Sequence, residues 1–328
     1  MSGSLFPQGA VEGLLVVVGA LEAGLIDALA ESGAHTAARA ASAVEGDERA
    51  TGVILEALAA LGLAGRSPAE GPTSGATFAL TELGRRHLVD PGPDYERNSL
   101  QHQVSKIRGW LELPFIVKHG HPPEGVSRPR ALRSFVRTMA EGDPEAMEEV
   151  VERCLRYAEP HEVRTMLDAG GAVGHMALRF ARRGTQATLC DRPAVLDEAR
   201  AFLGSDAALV RLSACDFTQD LPPGPYDLVY LGNVFHIYSP ETNKFVCRQV
   251  FGELNPGGSI AIRDFVWERS PRSALFAVNM LQATSEGGVW REEQFREWLV
   301  DAGFVDIDVV DLERSQNQLV LARRPRSG

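Results

Sequence analysis

Met166-Leu-Asp-Ala-Gly-Gly-Ala-Val-Gly-His-Met-Ala-Leu178 decides how this chain of 328 residues is read. An apolar run over residues 163–168 ends on the carboxylate of Asp168. Glycines follow at Gly170, Gly171 and Gly174, and an apolar helical pattern begins near Ala172. Glycine in such a turn lets a ligand approach the backbone closely. The first turn of the following helix leaves free amides. In open α/β sheets ligands bind outside the carboxyl ends of the strands. The segment therefore predicts a strand, turn and helix that form one wall of a cofactor site.

The pattern repeats downstream. Short apolar runs at residues 186–191, 208–213, 226–231 and 259–264 read as further strands. Helical patterns cover residues 172–183, 194–203 and 241–255 between them. This alternation predicts an α/β domain with a doubly wound parallel sheet. A last helix at residues 292–302 precedes two strand-like runs, 304–310 and 318–322, joined by a polar link. They read as an antiparallel hairpin at the sheet edge.

Two cofactors compete for the glycine turn. A dinucleotide site wants G-x-G-x-x-G, and Ala169, Gly171 and Gly174 supply two of its three glycines. An adenosylmethionine site wants D-x-G-x-G-x-G, and Asp168, Gly170, Ala172 and Gly174 match it with alanine in place of the middle glycine. Asp168 favours the second, because a carboxylate there suits a sulfonium ligand carrying an ammonium group and repels a pyrophosphate. Asp191 ends the second strand and can accept both ribose hydroxyls of an adenosine. Asp216, after the third strand, can reach the adenine. The terminal hairpin also speaks against a dinucleotide domain, yet the residues alone leave that alternative open. The expected cofactor set is Asp168, Gly170, Gly171, Gly174, Asp191, Arg192, Asp216, Phe217 and Asn233.

The first ninety residues are mostly helical in pattern. Helices are predicted at residues 11–29, 36–44 and 47–61, with Asp47 as N-cap and Gly62 ending the third. A Gly, Pro and Ser-rich loop over residues 67–77 leads into a short strand, 78–80, and a further helix. Three helices and a hairpin predict an all-α, winged-helix type of domain. Its third helix offers one Arg and two Glu but no Asn, Gln or Lys to read base edges, so it reads as a dimerisation module. Residues 96–160 read as connecting helices, with a loop at 120–129 and a helix at 141–157. The expected organisation is 1–95, 96–160 and 161–328.

Composition sets limits. Hydrophobic residues at 44% and charged residues at 23% place the chain among globular proteins. Its net charge of −11 argues against nucleic acid or an anionic membrane as the main partner. Cys154, Cys190, Cys215 and Cys247 are widely spaced, which predicts free buried thiols in a reducing cytoplasm. The apolar run at residues 14–21 is flanked by Glu12 and Glu22 and reads as part of a buried helix. His102, His119 and His121 lack metal-ligand spacing, so no metal is expected and the last two read as solvated loop residues.

Taken in order, seven segments resemble the small-molecule O-methyltransferases of plant phenolic and bacterial natural-product pathways, over nearly the whole chain. Leu21-Glu-Ala-Gly-Leu-Ile-Asp-Ala-Leu29 resembles that family's N-terminal helix. Leu55-Glu-Ala-Leu-Ala-Ala-Leu-Gly-Leu63 and Leu80-Thr-Glu-Leu-Gly84 resemble its winged-helix module. Asp191-Arg-Pro-Ala-Val-Leu196 resembles its D-L-P-x-V motif, and Cys215-Asp-Phe-Thr-Gln-Asp-Leu-Pro222 its G-D-F-F-x-x-x-P motif. Asn255-Pro-Gly-Gly-Ser-Ile-Ala-Ile-Arg-Asp264 and Trp298-Leu-Val-Asp-Ala-Gly-Phe304 resemble its closing strand and late helix. The resemblance implies S-adenosylmethionine as methyl donor, a small-molecule acceptor and a homodimer built by intertwined N-terminal domains.

It also implies a catalytic residue. His236, in Gly232-Asn-Val-Phe-His-Ile-Tyr-Ser239, stands where the family has its general base, and Asp264 stands where an acidic residue orients that base. An unperturbed histidine pKa of about 6.5 suits the deprotonation of a phenol or enol. The family's H-D-W run is replaced by His236-Ile-Tyr238. The position of a second orienting acid falls near Trp290 or Arg291, where no carboxylate stands. These departures keep C- or N-methylation in view. The expected acceptor wall is Trp267, Phe276, Met280, Leu281 and Trp290, with Trp110 and His102 from the connecting segment.

Overall fold

The computed structural model describes residues 10–68, 75–92, 94–123 and 143–326. The chain divides into two compact units, Met1–Arg108 and Gly109–Gly328. The division falls inside the helix Arg97–Trp110.

The N-terminal unit runs α1 (Ala10–Glu22), α2 (Leu25–Ser32), β1 (His35–Thr36), α3 (Ala37–Ala43), α4 (Glu48–Ala60), β2 (Ala64–Ser67), β3 (Thr77–Leu80), α5 (Glu82–Leu88) and most of α6 (Arg97–Trp110). The single helix expected over residues 11–29 is two. Gly24, at φ 76°, takes the left-handed conformation that breaks the helical ladder. Asp47 caps α4 as expected, its side chain accepting from the Ala50 amide. A small antiparallel sheet, in the order β1-β3-β2, accompanies the helices. Val17, Leu21, Ile26, Leu29, Leu55, Leu58 and Phe78 share one apolar core. Arg97 grips Asp27 with both guanidinium nitrogens, at 2.5 and 2.7 Å, and holds that carboxyl below its usual pKa.

The second unit contains α7 (Leu113–His119), α8 (Pro144–Ala158), β4 (Thr165–Ala169), α9 (His175–Ala181), β5 (Gln186–Asp191), α10 (Pro193–Leu203), β6 (Val210–Ala214), β7 (Tyr226–Gly232), α11 (Pro240–Glu253), β8 (Leu254–Asp264), α12 (Pro271–Ala283), α13 (Glu292–Ala302), β9 (Val305–Asp311) and β10 (Gln318–Arg323). Its seven strands lie in the order β6-β5-β4-β7-β8-β10-β9. The first five are parallel, and β10 joins β8 and β9 antiparallel, which is the edge hairpin expected from the sequence. Strand order reverses between β4 and β7, so the turn after β4 stands at the topological switch point.

Residues alternate between the two faces of the sheet. Leu167, Val229, Leu231, Ile260 and Ile262 meet Val246, Val250, Phe295 and Trp298 of α11 and α13. Met166, Leu189, Leu228, Tyr230 and Ala261 meet Val150, Val151 and Cys154 of α8 and Met176 and Phe180 of α9.

Several boundaries differ from expectation. The third strand starts at Val210 because Gly204–Leu209 form a 3-10 turn. The helix expected from Ala172 starts at His175, because Gly174 stays left-handed at φ 76°. The helix expected from 141 starts at Pro144 behind its cap Asp143, with 141 and 142 outside the described residues. Parts of the loops expected at 67–77 and 120–129 also lie outside them. His119 ends α7 and stacks on Phe115 at 4.0 Å, so it is a helix residue. Cys190 and Cys215 are joined as a disulfide, which corrects the expectation of four free thiols. Adjacent parallel strands bring them together although 25 residues separate them. Cys154 and Cys247 are free and buried. No single described helix is long and apolar enough to cross a membrane, and residues 14–21 lie within α1.

Trp298 is 1% exposed and lies against Phe235, Phe295 and Trp290. Trp298→Ala should therefore cost about 3–5 kcal/mol, read as a lowered urea midpoint of the C-terminal unit; a midpoint within error of the parent's would refute this account of the core.

Candidate active site

Two groups of side chains gather at the carboxyl edge of the larger sheet. The first surrounds the glycine turn. Gly170 has φ +71°, and a Cβ there would stand 2.8 Å from the Phe217 ring and 3.0 Å from Val234. A Cβ on Gly171 would stand 2.4 Å from the Asp168 carboxyl carbon. Ala172, at the place where the adenosylmethionine pattern has its middle glycine, adopts φ 52°. That left-handed backbone costs a non-glycine residue about 1–2 kcal/mol. The turn therefore keeps the shape of a glycine cradle even where the glycine is missing.

Asp168 is 1% exposed. One oxygen accepts from the Ala177 amide at 3.1 Å, and the other has no hydrogen-bond partner. Burial pushes its carboxyl up to about 7. Asp191 is less enclosed. It accepts from the Ala172 and Arg192 amides at 3.0 and 2.8 Å, and burial raises its pKa. Arg192 is exposed, at the N-cap position of α10. Asp216 is exposed, and its carboxylate binds Thr218 and Gln219 of its own turn, the Thr218 hydroxyl holding its pKa down. Phe217 is buried, edge-on to Tyr238 at 5.7 Å. Tyr238 is a member that the sequence did not single out: it lies within electrostatic range of Asp191, Arg192 and Asp216. Its only signal was its position as the aromatic residue of the altered H-D-W run.

The second group is built on the ends of β7 and β8. Asn233 leaves β7 with φ 57°, its amide donating to the Arg263 carbonyl at 2.7 Å and its side-chain oxygen accepting from Asn317. The short helical turn Phe235–Ile237 then carries His236 back over Asp264 at the end of β8. Asp264 accepts from His236 twice, from ring Nδ1 at 2.8 Å and from the backbone amide at 3.1 Å. Both residues are buried. Phe276 of α12 meets the His236 ring edge-on, with centroids 4.8 Å apart. Trp290 donates its Nε1 hydrogen to the Phe235 carbonyl at 2.9 Å, and the Gly288 amide donates to the His236 carbonyl. The segment 287–290 thus clamps the backbone beneath the imidazole.

The other expected wall residues divide. Met280 is buried on α12. The end of α6 within this unit touches the same helix, since a Cβ on Gly109 would stand 1.9 Å from Gln282. Trp110 follows it, with an Nε1 shielded from solvent and lacking a partner. Trp267 is not brought to the imidazole. Its ring lies under the Arg291 guanidinium and lines a surface depression with Arg269 and Ser270. Leu281 is 47% exposed. His102 lies in the N-terminal unit, on α6, and is placed only there. No carboxylate other than Asp264 pairs with His236 among the described residues, and no group of three His, Cys, Asp or Glu there could hold a metal.

A doubly wound sheet, a glycine cradle at its switch point and a buried histidine–carboxylate pair beside it define the class of a nucleotide-cofactor enzyme. Residues 103–305 match the model of the O-methyltransferase domain, and residues 16–90 that of the O-methyltransferase dimerisation domain. The chain belongs to the O-methyltransferase family and is an S-adenosylmethionine-dependent methyltransferase. It is 27% identical over 290 residues to the tetracenomycin polyketide synthesis 8-O-methyl transferase TcmO of Streptomyces glaucescens, across 83% of this chain and 82% of that protein. It is also 27% identical over 280 residues to acetylserotonin O-methyltransferase of Mus musculus, across 78% and 71%. The crystal structure of human N-acetylserotonin methyltransferase in complex with S-adenosylmethionine shares the fold, with a TM-score of 0.76 and 23% identity over 98% of this chain and 99% of that one. The dinucleotide reading of the turn falls away.

Two predictions follow from the turn. Gly170→Ala forces both a disfavoured φ and a collision with Phe217. It should weaken S-adenosylhomocysteine binding by about tenfold or more with the helical circular dichroism intact; unchanged calorimetric affinity would count against the cradle. Asp168, with its folded pKa raised above the unfolded value of about 3.9, stabilises the free protein in its protonated form. That contribution is complete below the unfolded pKa and is lost as the pH rises through about 7. Asp168→Asn should flatten this decline in urea midpoint, and an identical pH slope in the variant would dismiss the burial argument.

Proposed function

We propose that this enzyme is a homodimeric methyltransferase that methylates a hydroxyl, phenolic or enolic, on a small secondary-metabolite acceptor. The observation that carries the reading is the contact of Asp264 with His236 Nδ1 at 2.8 Å. A carboxylate on Nδ1 fixes the tautomer and leaves Nε2 as the basic nitrogen. Among the described residues no hydrogen bond engages Nε2. His236 is thereby the general base that takes the acceptor proton, and Asp264 orients it. Phe276, Met280, Trp290 and Trp110 form the acceptor wall on this reading. Support for an oxygen acceptor also comes from the names of two relatives, both O-methyltransferases.

Bound adenosylmethionine supplies an electrophilic methyl group. The residues that would hold it are Asp168, Gly170, Gly171, Gly174, Asp191, Arg192, Phe217 and Asn233, with Asp216 contributing through its turn. They fit the cofactor's chemistry: a buried carboxylate with an open oxygen suits an ammonium, Asp191 suits ribose hydroxyls, and Phe217 suits an adenine face. The chain's share of catalysis is then to bring the acceptor oxygen within about 3–3.5 Å of the methyl carbon, in line with the bond that breaks. His236 receives the proton, and the half-buried aromatic wall limits the access of water.

A second reading, transfer to carbon or nitrogen, draws on the single carboxylate beside His236. Mass spectrometric localisation of the methyl group on product separates the two. His236→Ala should leave S-adenosylhomocysteine affinity within about twofold while slowing turnover by about 10²-fold or more. Turnover at the parent rate would remove His236 as base.

A further inference from the structure

The face of the sheet covered by α8 and α9 holds a second polar group, which the acceptor chemistry does not use. Asp168 and Tyr230 are register partners on β4 and β7, and Gly232 and Arg263 are register partners on β7 and β8. Tyr230 extends along the sheet toward the carboxyl edge, since a Cβ on Gly232 would stand 2.7 Å from its hydroxyl oxygen. The Arg263 guanidinium lies beside that hydroxyl and within electrostatic range of His175, the first residue of α9.

These groups are unsatisfied in a specific way. Asp168 has one carboxylate oxygen without a partner, although it is 1% exposed. Arg263 Nε and His175 Nδ1 are likewise shielded from solvent and without partners. No carboxylate forms an ion pair with Arg263 among the described residues. Polar atoms shielded from water and left open are costly, and such groups are found where a ligand completes them. An open acid on β4 and a cation on β8 with an open Nε, on one face of the sheet with Tyr230 of β7 between them, match a zwitterion. A phosphate would meet Asp168 as a like charge, and a simple amine would leave Arg263 alone. The amino-acid end of adenosylmethionine carries both an α-ammonium and an α-carboxylate.

We propose that Arg263, with His175 beside it, binds the α-carboxylate of the cofactor's amino-acid end while Asp168 takes its ammonium. The proposal rests on adenosylmethionine as the cofactor. Arg263 is then a cofactor-binding residue supplied by β8, one position before the residue that orients His236.

Calorimetry with two ligands tests this. S-adenosylhomocysteine carries the amino-acid end, and 5′-methylthioadenosine is the same nucleoside thioether without it. Arg263→Met should weaken S-adenosylhomocysteine by about 10- to 100-fold, the range of a lost charge-assisted hydrogen bond. It should leave 5′-methylthioadenosine within about twofold, and Arg263→Lys should recover part of the loss. Unchanged S-adenosylhomocysteine affinity overturns the proposal. Equal weakening of both ligands also overturns it, since that marks a structural residue. Should Arg263→Met not fold, the methyl ester of S-adenosylhomocysteine gives a test on the parent protein. The ester should bind about tenfold or more weakly than the acid to the parent and equally with it to Arg263→Gln. Equal binding of acid and ester by the parent refutes the carboxylate contact. If the parent binds neither 5′-methylthioadenosine nor S-adenosylhomocysteine, the cofactor assignment itself fails, a distinct result.

Discussion

Asp264 makes two hydrogen bonds to one residue, and the active edge of the sheet depends on that double contact. The bond to the His236 amide fixes the turn that leaves β7, and the bond to Nδ1 fixes the ring that the turn carries. Neither would be reproducible if β8 could shift. It cannot, because β8 is held parallel to β7 on one side and antiparallel to β10 on the other, with Gln318 opposite Asp264. Gln318 also accepts from the Val266 amide at 2.9 Å, which ties the chain just beyond Asp264. The antiparallel edge hairpin thus acts on the histidine pair from a distance: it prevents the strand that bears Asp264 from sliding. An imidazole bonded at Nδ1 by a carboxylate has a fixed tautomer and a fixed direction, and here both derive from strand register.

The glycine turn obeys a different constraint, that of close approach. Gly170 and Gly171 lie where a side chain would strike Phe217 or Asp168. Ala172 keeps the left-handed backbone that its position demands, at a cost a glycine would not incur. The amide of that strained residue donates to Asp191, so the strain is held by the carboxylate that ends β5.

Much of this was legible in the sequence because it is periodic or local. Alternating apolar runs gave the sheet, its edge hairpin and the helices between. The glycines located the turn, and His236 and Asp264 each stood at a place that the family resemblance marked. What remained hidden was set by contacts across the fold. Helical periodicity does not register a left-handed break, so α1 and α2 were read as one. The pairing of Cys190 with Cys215 depends on β5 lying beside β6, which spacing alone does not state. Trp267 looked equivalent to Trp290, yet one lies under Arg291 and the other under the Phe235 carbonyl. Tyr238 was noted only as part of the altered H-D-W run and Arg263 only within the closing-strand segment, because neither residue type marks a site until its neighbours are known.

The two faces of the sheet divide the work. Asp264 points to the face that α11 and α13 cover, whereas Asp168, Tyr230 and Arg263 point to the face covered by α8 and α9. Strand alternation makes this division unavoidable, since Arg263 and Asp264 are consecutive and must point to opposite faces. Residues on α12 can then vary without disturbing Asp168 and Arg263. Any change of register at the end of β8, by contrast, would move both sets at once. A family that keeps one donor while exchanging acceptors is expected to conserve β8 register more strictly than the composition of α12, and the buried Met280 beside the exposed Leu281 shows how little of α12 is tied to the core.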